Sequence, residues 1–155
     1  MPMSLDAAVE ALCRAAGWRD VPLDDEGVRH FLLEDGLDLD VRSPDGRVCI
    51  LSADLGAGPE ADQPDADDQY ARIGRMAAAV ARAQRSTLSV HEGRLSLWRR
   101  VPLDAGEADF CREAREFLND QAWWRGRLDG ADEGAAPVSP FSFGASGWMP
   151  GQLVF

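Results

Sequence analysis

Between Thr87 and Leu128 the hydrophobic period of the chain changes once, and that change constrains the fold more than any other feature. Leu88 and Val90, then Leu95 and Leu97, alternate with polar residues on either side of Glu92-Gly93, as the two strands of a hairpin with one buried face do. After Pro102 the spacing becomes three and four: Phe110, Ala114, Phe117, Leu118, Gln121 and Trp124 fall on one helical face. The stretch offers packing surface and no evident catalytic group. It points to a protein that holds something and does not convert it.

The same reading runs upstream. Ser4 caps a helix through LDAAVEALCRAA, with Leu5, Ala8, Val9, Leu12 and Ala16 as its stripe and Gly17 as its stop. Three strands follow: Val28 to Leu33, Leu37 to Val41 and Arg47 to Leu55. The turn signals Asp35-Gly36 and Ser43-Pro44-Asp45-Gly46 between them are short enough to dictate an antiparallel meander. The unbroken apolar run VCIL predicts a central strand covered on both faces, whereas LDLDV predicts a one-sided strand. A polar, acidic loop over 56–68 leads into a second helix through DQYARIGRMAAAVARAQR, with Ile73, Met76 and Val80 on one face. The expected fold class is therefore α+β: a two-layer α/β sandwich in the order helix, three strands, helix, two strands, helix, built on a twisted antiparallel sheet. Residues 1–128 form the domain. Residues 129–155, rich in Gly, Pro, Ser and Ala with Phe141, Phe143, Trp148 and Phe155, read as a flexible tail.

Composition excludes several function classes. With 155 residues and 45% hydrophobic content the chain can bury one real core. Its net charge of −11, with every basic residue an arginine, opposes nucleic acid and anionic membrane surfaces and suits a basic or hydrophobic protein partner. No apolar run is long enough to insert in a membrane, and the N-terminus carries Asp6 and Glu10 and no basic leader. A cytoplasmic, bacterial location is expected. Cys13, Cys49 and Cys111 are odd in number and include no C-x-x-C, so they read as small buried hydrophobes in a reducing compartment.

The chemistry-bearing residues give no catalytic or metal signature, and no cofactor is expected. His30 and His91 lie in strand-like stretches without metal-ligand spacing. A nucleophile built from Cys49 and His30 on adjacent strands would lack an orienting third group. The runs DLD (38–40) and DADD (65–68) lack the spacing of a calcium loop and read as a solvated strand face and a helix start.

The order of elements, the size and the acidity resemble the class I type III secretion chaperones, over roughly Ser4 to Leu128. The carrying stretches are SLDAAVEALCRAAGW, HFLLEDGLDLDVRSPDGRVCILSADLG, RIGRMAAAVARAQRSTLSVHEGRLSLWRRVPL and FCREAREFLNDQAWWRGRL. The resemblance implies a non-enzymatic homodimer. It would bind the N-terminal chaperone-binding region of a secreted effector protein in extended form, keep it soluble and competent for export, and release it to the secretion ATPase. It places effector binding on Leu5, Val9, Leu12, Val28, His30, Leu32, Cys49 and Leu51, and the dimer seam on Ile73, Met76, Val80, Leu88 and Leu95. The loop 56–68 and the aromatic tail depart from the family pattern. An alternative reading of the same acidity is an immunity or adaptor protein that neutralises a basic protein partner.

Overall fold

The computed structural model describes residues 2–130, so the tail over 131–155 lies outside the described residues. Helix α1 spans Leu5–Ala16 and is capped at both ends. Ser4 Oγ accepts the Ala7 amide at 3.1 Å, and Gly17 closes the helix at φ 71°, a conformation that favours glycine. Strand β1 (Val28–Leu32) turns through a 3₁₀ segment, Glu34–Gly36, into β2 (Asp38–Arg42) and then β3 (Val48–Ala57). Helix α2 (Ala66–Val80) carries the chain to β4 (Thr87–His91), which turns into β5 (Arg94–Pro102). Helix α3 (Glu107–Leu128) closes the order. The five strands make one antiparallel sheet in the order β1-β2-β3-β5-β4, so the hairpin enters with its second strand against β3.

The predicted order of elements is the observed one, with two local differences. The second helix, expected to reach Arg85, stops at Val80. There the Ala83 and Gln84 amides both turn back to the Val80 carbonyl, at 2.9 and 2.8 Å, and Gln84 swings inward so that its Oε1 accepts Trp124 Nε1 at 3.1 Å. Satisfying a buried indole N–H is worth more here than another turn of arginine-rich helix. Strand β3 also runs two residues into the expected acidic loop. Ala57 pairs with Arg94, and the Gly58 amide bonds the Gly93 carbonyl at 2.8 Å, past a bulge at Gly56.

Strand parity decides what the core contains. Phe31, Leu39, Val41, Cys49, Leu51, Ala53, Leu97 and Val101 point to the helix side and are buried against α1 and α3. Phe110, Ala114, Phe117, Leu118 and Trp124 of α3 fill the layer above them, with Val9 and Leu12 of α1 alongside. Each large side chain buried this way contributes about 1.5–3 kcal/mol relative to exposure. The expectation that VCIL is covered on both faces is corrected. Cys49 and Leu51 are buried, but Val48 and Ile50 are only half-covered, because all the packing from α1 and α3 falls on one side. On the other face, Trp98 keeps 38% of its surface exposed.

Parity also turns Arg99 inward, where it is 3% exposed. Its guanidinium meets Glu113, Glu116 and Asp120 of α3 at 3.0, 3.1 and 2.9 Å, and Ser86 Oγ completes the cage by donating to Asp120 at 2.5 Å. Burial pushes the Asp120 carboxyl above the ordinary range, opposed by Ser86 and Arg99. The cluster fixes α3 across β5 at a point where apolar side chains would have allowed sliding.

The parity assignment has a direct test. Leu97→Ala is expected to cost about 2–5 kcal/mol in denaturant unfolding at fixed protein concentration. Trp98→Ala, one residue on and facing away from the helices, should cost clearly less than the 3–5 kcal/mol or so of a core aromatic. Equal losses would mean the outer face is buried.

Candidate functional site

Exposed large apolar side chains mark where a folded chain has surface to offer. Among the described residues they are Leu23, Leu32, Val90 and Trp98, at 47, 89, 50 and 38% exposure. Leu23 precedes β1 and Leu32 ends it, and the last two lie at the far end of the sheet, on β4 and β5.

Strand β1 is an edge. The Leu33 amide bonds the Leu37 carbonyl at 2.8 Å, so the odd-numbered residues of the strand turn their backbone groups toward β2. Val28, His30 and Leu32 therefore turn theirs outward, where an extended segment can pair with them. The Val28 groups are already taken. Its amide donates to Asp24 Oδ1 at 2.8 Å and its carbonyl accepts the Asp24 amide at 2.8 Å. Among the described residues the free edge is thus the short run from His30 to Leu32.

Two side chains of β1 hold the preceding loop in place, one on each face of the sheet. On the helix side, Arg29 is buried and reaches Asp6 of α1 at 2.6 Å, Asp20 at 2.8 Å and the Val21 carbonyl at 2.5 Å. On the open side, His30 stands between two carboxylates, Nδ1 to Asp40 at 2.6 Å and Nε2 to Asp24 at 2.8 Å. A neutral imidazole has one N–H, so only the charged ring donates to both. Those two hydrogen bonds, Asp24 first, raise the His30 pKa above its ordinary value. The Asp24 carboxyl is held below its own, first by the Val28 amide and then by His30.

Below Leu32 a cleft of about 580 Å³ opens between the β1–β2 turn and the end of α3, bordered by Asp38, Asp40, Asp54, Arg94, Arg125 and Asp129. Arg125 organises it. This side chain of α3 bonds Asp38 at 2.6 Å, the Asp54 carbonyl at 3.0 Å and the Gly36 carbonyl, while Gln121 adds a 2.9 Å bond to Asp38. The turn that carries Leu32 is thereby tied to the core helix. A second depression, about 520 Å³, runs over Arg42, Ile50, Ser52, Ser89 and Trp98 on the outer face and shares Asp40 and Asp54 with the first.

The residues singled out from the sequence separate by face. Val28, His30 and Leu32 come together on the outer side of β1, with His30 and Leu32 exposed. Val9, Leu12, Cys49 and Leu51 are buried in the protomer core, and Leu5 is half-buried beside them. Of the seam residues, Ile73, Val80 and Leu95 are buried within the protomer, whereas Met76 and Leu88 keep part of their surface. Cys49 and His30 lie on opposite faces of the sheet, so they cannot form a nucleophile and base pair. Burial also pushes the Cys49 thiol up to about 12. Among the described residues, no three His, Cys, Asp or Glu side chains are arranged to hold a metal ion, and no helix is long and apolar enough to cross a membrane.

Leu23 and Asp24 carry no periodicity and escape a reading based on it. The available signal was local: Asp24-Asp25-Glu26-Gly27 immediately before Val28 is a turn in which Asp24 Oδ1 accepts two following amides.

The site's chemistry predicts its titration. The His30 contribution to stability is full below the ordinary histidine pKa near 6.5 and is lost as pH rises through its elevated folded value. Followed by NMR, the His30 ring should titrate above a histidine reference peptide, and Asp24→Asn or Asp40→Asn should bring it down. An unshifted ring in the unaltered chain would contradict the double contact.

The model of the Tir chaperone protein (CesT) family matches residues 7–125. Among solved structures, a chain of the HopA1-SchA chaperone-effector complex aligns with a TM-score of 0.56 and 17% identity, over 77% of this chain and 91% of that one. The Yersinia pestis type III secretion chaperone SycH, in complex with a stable fragment of YscM2, gives 0.54 and 8%, over 78% and 99%. The ExoU-SpcU heterodimer from the type III secretion system of Pseudomonas aeruginosa gives 0.51 and 16%, over 75% and 93%. At these identities the likeness is one of fold. No curated protein sequence matches the chain.

Proposed function

The chain belongs to the Tir chaperone protein (CesT) family, and on that footing we propose that it is a cytoplasmic type III secretion chaperone that binds the N-terminal region of an effector and keeps it competent for export. The observation that carries this reading is the edge of β1. Its outward backbone groups at His30 and Leu32 meet no partner among the described residues, Leu32 stands clear of the surface, and Arg125 mounts the adjoining turn on α3. Such an edge accepts a strand, with main-chain hydrogen bonds supplying affinity and alternate side chains supplying selectivity. Leu32 and Leu23 are the apolar contacts. Val9, Leu12, Cys49 and Leu51 belong to the core beneath the sheet, with Leu5 packed against that core. No step of this function makes or breaks a covalent bond.

The test is capture of the client. The tagged chain, expressed in its own host, should retain one secreted protein through that protein's N-terminal segment, and Leu32→Asp should lose it while leaving the unfolding midpoint almost unchanged. Apolar and main-chain contacts depend weakly on ionic strength. Retention should therefore persist in high salt, whereas loss of the partner as salt rises would favour charge-led neutralisation of a basic protein.

For a second copy we infer the other end of the molecule. Leu88 and Val90 lie on the helix-facing side of edge strand β4, and they and Met76 of α2 keep surface that the described residues do not cover. Ile73, Val80 and Leu95 shape that seam from beneath. Light scattering should give twice the 16.9 kDa chain mass. Val90→Asp should shift it toward the monomer without loss of helix signal, and a monomer in the unaltered chain would remove the seam.

A further inference from the structure

The loop before β1 blocks one of the three outward-facing residues of the edge that the client reading requires, and it is fastened differently on the two faces of the sheet. Arg29 grips Asp20 and Val21 from the helix side with a guanidinium that keeps its charge at every physiological pH. His30 grips Asp24 from the open side with a ring that does not. Asp24 is the residue that matters to a partner strand, because it occupies both outward backbone groups of Val28. With Asp24 seated, an extended segment finds only His30 and Leu32; with Asp24 lifted, the usable edge grows to Val28, His30 and Leu32.

We propose that Asp24 is a proton-controlled cap on the β1 edge, latched to Asp40 through His30 and released when the imidazole loses its proton. The charged ring donates to both carboxylates and ties the loop to β2. When the ring is neutral, one of the two contacts becomes a nitrogen lone pair facing a carboxylate oxygen, which repels. The Arg29 contacts remain, so the loop as a whole stays anchored while its last turn opens. That asymmetry makes the opening local.

The charge around the ring favours a latch that is closed through neutral pH. On this side stand Asp24 in the turn, Asp38, Asp40 and Arg42 on β2, and Asp54 on β3. Arg94 of β5 and Arg125 and Asp129 at the end of α3 border the adjoining cleft. Arg94 and Arg125 are bonded to Asp54 and Asp38, leaving Asp24 and Asp40 to the imidazole. The elevated titration of His30 agrees with that arrangement. Sign and window follow: the cap is held from the depressed Asp24 titration up to the raised His30 titration, and it loosens as pH climbs through the latter. The proposal takes its functional meaning from the reading of β1 as the client edge. A client strand that reaches Val28 must displace Asp24, so its capture is favoured on the alkaline side.

The cap can be tested on the chain alone, so that failure here and failure of the client reading are separate results. Amide hydrogen exchange is measured by NMR across the His30 ring titration and corrected for the intrinsic base dependence of exchange. The Val28 amide should lose protection by roughly three- to tenfold as the ring deprotonates, the equivalent of one hydrogen bond. The amides of Phe31 and Leu39, paired within the sheet, should hold. His30→Gln should abolish the step at Val28. Asp40→Asn, which keeps the ring but weakens its second contact, should move the step to lower pH together with the ring titration. Val28 protection that stays flat through the titration, or a step that persists in His30→Gln, overturns the proposal.

Discussion

The packing of α3 against one face of the sheet is the contact on which the rest of the molecule depends. Phe110, Phe117, Leu118 and Trp124 rest on Leu39, Leu51, Leu97 and Val101, and α1 reaches the core mainly by lying beside α3. One helix therefore sets the depth of the core, the position of α1 and, through Arg125, the conformation of the β1–β2 turn. Because α1 and α3 both take the same face, neither helix covers the opposite face of the sheet. Surface for a partner is thus a consequence of how the core is built.

Two buried arginines complete that arrangement, and their cost explains their placement. Taking a guanidinium out of water is tolerable only when carboxylates and hydrogen bonds surround it, and removing one partner of such a pair typically costs about 3–5 kcal/mol. Arg99 satisfies the condition with three carboxylates from α3, Arg29 with Asp6, Asp20 and a backbone carbonyl. An apolar contact could slide along a strand, whereas these fork-shaped donors fit one register. Arg99 locks β5 to α3, and Arg29 locks the loop before β1 to α1.

A binding protein of this kind needs a rigid scaffold and one adaptable border. The scaffold is the α3 layer. In the proposed reading the border is β1 with its loop, where the exposed area of Leu32 and Leu23 can return roughly 25 cal/mol per Å² on burial, set against the cost of ordering an extended segment. Helix α2 is the least anchored of the three helices, with only Ala66, Ile73 and Val80 buried and its own Met76 half-covered, and Leu88 of β4 is likewise half-covered. The exposed apolar side chains Leu23 and Leu32 lie at one end of the strand order and Val90 at the other, so the proposed client edge and the proposed seam do not overlap.

Periodicity alone determined the fold class and the order of elements, because a period of two and a period near three and a half are local properties written in consecutive residues. It also placed the Phe110 to Trp124 stripe, and the parity of Leu95 and Leu97 already implied that Trp98 faces out and Arg99 in. The early stop of α2 was not legible, since it depends on Gln84 meeting Trp124, forty positions away. Nor was the one-sided cover of β3, for an apolar run does not say how many layers exist to cover it. The site itself divides in the same way. Val28, His30 and Leu32 can be picked from the sequence as one face of a strand. That β1 is an edge, that Asp24 folds back onto it and that His30 stands between two carboxylates were decided only by the tertiary structure. Strand order and loop return are set by contacts between distant residues, and no local pattern encodes them.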